Sequence, residues 1–241
     1  LGGLSCTAGA VATGDGGLGQ VLLYPYYRVR SGNETVVTVV NTTDSAKAVK
    51  VRVLESKNSR EVIDFNLYLS KHDVWTGVIT TTTAGAKLVT TDKSCTAPAI
   101  PAGGVEFRNF AYSGSNADGE DTSLNRTREG YIEIIEMGNA NHIDIDPGSA
   151  TVFFDTAVTH VSGVPANCAA VVADWADGTF TPGSVSAPTG GLMGTGTLIN
   201  VANGTDFSYD PVVLDAFSIA ANHTAPGSLL PSLEQALPAQ S

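Results

Sequence analysis

Val49-Lys50-Val51-Arg52-Val53, followed by Ile63-Asp64-Phe65-Asn66-Leu67-Tyr68-Leu69, decides the fold class of this chain. Apolar and polar side chains alternate with period two in both stretches, the spacing of a pleated strand with one buried and one wet face. A polar turn at 56–59 separates them. Working outward, residues 21–30 and 34–40 read as strands joined by the turn Ser31-Gly32-Asn33, and 41–44 is a further turn cluster. Residues 74–79 continue the sheet into the threonine run 80–83. Residues 131–137 form a strong strand, and 192–209 a strand pair that reverses at Ala202-Asn203-Gly204-Thr205. Short strands about ten residues apart, linked by polar turns, describe a mainly β fold. The expected architecture is an antiparallel β-sandwich, Ig-like or jelly-roll-like, with long loops and one or two short helices. Helical spacing occurs at 167–176, before the stop Asp177-Gly178, and at 211–220, with Asp210 as cap and Pro211 in the first turn.

The 241 residues are enough for one large β domain with a real core. The reading is a flexible glycine-rich lead over 1–19, then a single sandwich over 20–241. It carries a polar loop at 112–128, and the Gly/Pro/Ser/Thr connection 181–191 is a candidate internal boundary. Thirteen Lys and Arg stand against 24 Asp and Glu, a formal charge of -11. Neutralising phosphates needs clustered cations, so a nucleic-acid partner is excluded on this reading, and an anionic membrane surface is disfavoured. No apolar run approaches the ~18 residues of a spanning helix.

Candidate chemistry is sparse. Asp118, Glu120 and Asp121 lie in a loop with an Asn and a turn Gly, the oxygen-rich composition calcium uses, although the spacing is not that of an EF-hand. His142, Asp144 and Asp146 would share one face of an extended segment, but at ~7 Å spacing they reach a single ion poorly. Cys95 and Cys168 sit at element ends, where a disulfide forms if the protein is exported; otherwise they are buried thiols. Cys6 is left over. Glu133 and Glu136 fall on opposite sides of a strand, not the paired carboxylates of a glycosidase. No Gly-x-Ser-x-Gly elbow or phosphate loop is present, and the four histidines lack local catalytic partners. In Tyr24-Pro25-Tyr26-Tyr27 the proline marks an edge or bulge. The favoured reading of these tyrosines is core packing with their hydroxyls at the rim; any left exposed would meet sugar or a partner subunit, and Tyr26 and Tyr27 are the ones to test.

Two groups of segments carry a resemblance. One is 17–27 with Val39-Val40-Asn41-Thr42-Thr43 and 58–75; the other is 128–137 with 194–208. Together they resemble exported cell-surface proteins of gram-negative, often marine, bacteria, among them surface-layer subunits. The resemblance implies a secreted, β-rich, non-enzymatic protein that polymerises on the cell surface, often with calcium, and it carries no catalytic residue. The expected function is thus a structural subunit of an extracellular layer or filament. A secreted glycan-binding adhesin is the alternative, and an extracellular hydrolase the third reading.

Overall fold

The computed structural model describes residues 11–146 and 150–235; Cys6 lies outside them. Its first half contains the strands β1 (Ala12–Thr13), β2 (Val21–Arg28), β3 (Glu34–Asn41), β4 (Lys47–Glu55), β5 (Glu61–Leu69) and β6 (Val74–Thr81). Shorter strands follow: β7 (Ala86–Val89), β8 (Cys95–Ala97) and β9 (Val105–Glu106). Beyond the 108–128 loop come β10 (Glu129–Ala140), the helix α1 (Phe154–Val158), the paired β11 (His160–Val161) and β12 (Val164–Pro165), and the helix α2 (Cys168–Ala173). The chain finishes its sheets with β13 (Val185–Ser186), β14 (Leu192–Asn200), β15 (Thr205–Tyr209) and β16 (Val212–Asp215).

Two antiparallel sheets face each other. One runs β1-β16-β2-β10-β4-β5-β8, with β13 added beside β10; the other runs β15-β14-β3-β6-β7-β9. Their inner faces supply a single core that includes Leu22, Tyr24, Val37, Val39, Val49, Val51, Phe65, Leu67, Trp75, Ile132 and Ile134. The alternating pattern quoted at the outset is therefore what places Val49, Val51 and Val53 against the second sheet. Two glycines of β14 make the sheets fit. A Cβ on Gly194 would overlap the Tyr24 hydroxyl, and one on Gly196 would enter the Tyr209 ring. A side chain there displaces buried Tyr24 or half-buried Tyr209.

The outer face of the first sheet is not wet, which corrects the alternation argument. Every residue of β4 is buried. Met137, Ala48, Tyr68 and Ala97 on that face pack against Phe154, Ala157 and Val158 of α1 and Val171 of α2. Beside them the segment after β16 crosses the sheet and buries Phe217 against Val21 and Ile135. Period two reports only that two faces differ; it does not report whether a later segment of chain covers the polar one.

The helix at 167–176 is present as α2, capped by the Asn167 side chain accepting from the Ala170 amide. The helix expected at 211–220 is not. Val212, Val213 and Leu214 pair instead with Leu23, Leu22 and Val21, because a ladder on an open sheet edge outweighs a local capping signal in a β-branched run. Part of the expected lead is also tied down: Ala12 and Thr13 pair with Asp215 and Leu214, and Gly19 bridges Leu192. The connection 181–191 is woven into the sheet, since β13 pairs with β10 and the Thr189 and Gly190 amides donate to Glu136.

Cys95 of edge strand β8 is bonded to Cys168 at the start of α2, with the two Cα atoms 5.4 Å apart. The bridge closes 73 residues of chain and pins the helical cover to the sheet. Replacing both cysteines (Cys95→Ser with Cys168→Ser) is expected to lower the unfolding free energy by about 2–4 kcal/mol in urea titration. Amide exchange in α2 should rise first. Unchanged stability and exchange would mean the cover holds without its staple.

Candidate functional site

A cluster of exposed aromatic rings lies at one corner of the sandwich, and a bulge creates it. Gly130 opposes Tyr27 while Ile132 opposes Tyr24, so Pro25 and Tyr26 together face one residue of β10. Strict alternation would send Tyr26 inward after Leu22 and Tyr24. The extra residue passes the inward position to Tyr27, which is fully buried with its hydroxyl donating to the Thr127 carbonyl at 2.9 Å. Tyr26 is left 37% exposed. The tyrosine cluster thus contributes one surface ring, Tyr26, while Tyr27 is packed in the core with its hydroxyl bonded, as the core-packing reading expects.

Opposite Tyr26 stands the β14–β15 hairpin. Phe207 and Tyr209 oppose Leu198 and Gly196 across it, and they lie on the inner face of the second sheet where the first sheet stops. Tyr209 packs flat over Gly196, and its hydroxyl donates to the Tyr26 carbonyl. Burial pushes that phenol up to about 12. Phe207 is stacked beside it, ring centroids 6.4 Å apart and planes 26° from parallel, and is 66% exposed. Pro25, Tyr26, Leu198, Phe207 and Tyr209, with Asn33, Thr205 and Asp206 at the rim, enclose a groove of about 550 Å³. The Tyr-Pro-Tyr-Tyr motif marked half of this site; Phe207 and Tyr209 carried only a period-two signal.

The acidic loop is organised around a cation from the chain itself. Arg126 donates through Nε and Nη2 to both oxygens of Glu55, at 2.6 and 2.9 Å. Nη1 and Nη2 reach both oxygens of Asp118, at 2.8 and 2.6 Å. Its guanidinium also sits 4.3 Å from the centre of the Tyr112 ring. Glu55 in turn accepts from the Lys57, Asn58 and Arg60 amides of the turn after β4. Hydrogen bonds from Arg126 and Asn58 hold the Asp118 carboxyl well below its usual range, and Asp121 is lowered by the Ser123 amide and hydroxyl. Glu120 lies 3.9 Å from Lys57. The three proposed calcium ligands are thus engaged by separate partners. Among the described residues no group of three or more His, Cys, Asp or Glu side chains is placed to hold a metal ion.

His142, Asp144 and Asp146 do not share a strand face. His142 contacts Asp155 at 3.0 Å and stacks on Phe153, while Asp144 accepts from the Asp146 and Val152 amides. Here local Asx turns outcompete the extended conformation that the pattern implied. His160 lies near both a hydroxyl and a carboxylate: Nδ1 is 3.1 Å from Ser70 Oγ and 3.4 Å from Asp73 Oδ2. A catalytic relay needs the two partners on different ring nitrogens, and here both approach the same one. Asp73 is engaged in its own turn, accepting from the Ser70 amide at 2.9 Å.

His223 is the one histidine held in apolar surroundings. Trp175, Phe180, Phe154 and Tyr68 surround it, and Nε2 meets the Tyr68 hydroxyl at 3.0 Å. Burial, with Lys50 nearby, pushes its pKa down to about 3. The unfolded chain then takes up the proton first, so stability is full above about pH 6.5 and falls as the pH drops from there toward 3. The difference in stability between the protein and a His223→Gln variant should change by up to about 1.4 kcal/mol per pH unit in that window. A pH-independent difference would refute the assignment. The acidic loop has its own window. Glu55 and Asp118 are both lowered, so loop attachment is complete above the usual carboxylate range near pH 4 and weakens below it. Arg126→Ala should cost about 3 kcal/mol and raise amide exchange across 108–128 at pH 7; full protection in the variant would contradict the anchor. Comparison with family models, with curated proteins and with solved structures returned no match for this chain.

Proposed function

We propose that this protein is a non-enzymatic structural subunit of an extracellular assembly, a surface layer or filament of the kind its sequence resembles. The observation that carries this reading is the edge strand β15. It ends the second sheet with only β14 beside it, and four of its five residues are exposed. Natural edge strands are blunted by brevity, by proline or lysine, or by a covering segment. The other ends of the two sheets follow that rule: β1 and β9 have two residues each, and β8 is tied to α2. Thr205–Tyr209 contains neither proline nor lysine. Such an edge pairs with the same edge of a second copy, and growth beyond that pair uses a second contact surface on each copy.

The disulfide supports export, since such bridges persist in oxidising compartments. Calcium enters this reading through the acidic loop, where it would compete with Arg126 for Asp118. Electron microscopy of the purified protein at high concentration, with calcium and with chelator, tests the proposal. Sheets or filaments are expected in at least one condition, and Ser208→Lys on the edge should abolish them while the fold is kept. A monomer under both conditions, or polymers indifferent to Ser208→Lys, would overturn it.

A further inference from the structure

The corner groove carries an inference separate from the edge beside it. Its shape is costly to maintain. The bulge at Pro25–Tyr26 breaks the ladder of β2, Gly196 gives up a side chain so that Tyr209 can lie flat, and Phe207 is left in water while Leu198 and Tyr209 beside it are half-buried. The result is a pair of rings with planes 26° from parallel, and a third ring, Tyr26, across a gap of about 550 Å³. Flat aromatic faces bind the C–H faces of pyranose rings, whose hydroxyls project sideways to polar groups at the rim. Asn33, Thr205 and Asp206 supply those groups here. The lining contains one carboxylate and no Lys or Arg, which disfavours acidic sugars and phosphate headgroups. A strand from another protein fits less well, because Pro25 has no amide hydrogen and the bulge offsets the backbone it would pair with.

We propose that the groove between Tyr26 and the Phe207–Tyr209 platform is a binding site for a neutral glycan. The subunit would then hold surface polysaccharide while its β15 edge contacts the next copy. Affinity electrophoresis of the whole chain in native gels tests this, using three neutral polymers (hydroxyethyl-cellulose, galactomannan, glycogen) and one anionic polymer (polygalacturonate). Retardation by at least one neutral polymer is expected. Phe207→Ala and Tyr26→Ala should each weaken it about tenfold, with melting temperatures close to that of the parent because both rings are exposed. Ser208→Lys, outside the groove, should leave retardation unchanged. Migration unaffected by every neutral polymer, retardation by polygalacturonate alone, or retardation insensitive to both aromatic substitutions would overturn the proposal. If Phe207→Ala changes only the size of assemblies, the groove is part of the subunit contact and the glycan site is refuted, whereas the assembly reading stands.

Discussion

The buried charges of β4 are the constraint on which the rest of the molecule depends. Lys47, Lys50 and Arg52 lie in a strand covered on both faces, and each needs a carboxylate that the fold must deliver. Lys47 meets Glu136 at 2.7 Å, Lys50 meets Asp64 at 3.4 Å, and Arg52 is shared by Glu61 at 2.8 Å and Glu133 at 2.5 Å. The three carboxylates Glu61, Glu133 and Glu136 are pushed up by burial, which their cations partly offset. Such pairs add little net stability, but losing one partner leaves a stranded charge and costs about 3–5 kcal/mol. They therefore specify register: Arg52 opposite Glu133 permits only one alignment of β10 on β4.

That constraint explains why the later chain runs where it does. Lys50 donates to the Ala225 carbonyl, Asn66 to Thr224, and the Gly227 amide to Asp64, so the segment after β16 is held by the side chains it covers. The helical cover performs the same task at the other end of the face, fixed by the disulfide. A comparable buried cation, Arg126, fastens the 108–128 loop to the end of β4 through Glu55. With these segments committed to the first sheet, the β15 end of the second sheet is left uncovered. The open edge and the aromatic corner are two consequences of that asymmetry.

Legibility in the sequence followed the range of each interaction. The strands from β2 to β6 and β10 could be read because their inward residues repeat locally, and the β14–β15 reversal because Asn203-Gly204 marks its turn, Gly204 having φ of 62°. The proline in β2 announced an edge or a bulge, but which of these it is, and which tyrosine it exposes, depends on its register against β10. The cover over Lys50 and Arg52 was illegible, since charged residues in alternation look the same whether water or a partner lies above them. Val212–Asp215 misread as helix for a similar reason: its partner Val21–Leu23 lies some 190 residues earlier in the chain. The acidic loop was visible as charge, whereas its counter-ion Arg126 gave no sign of pairing with Glu55, 71 residues away.

Assembly of the kind proposed requires that copies meet at β15. Hydrogen exchange read by mass spectrometry across a protein dilution series tests this most directly. Amides of Thr205–Tyr209 should exchange freely when dilute and become protected as concentration rises, while β4 and β10 stay protected throughout. Rapid exchange of β15 at every concentration, in samples that nonetheless assemble, would show that copies meet elsewhere.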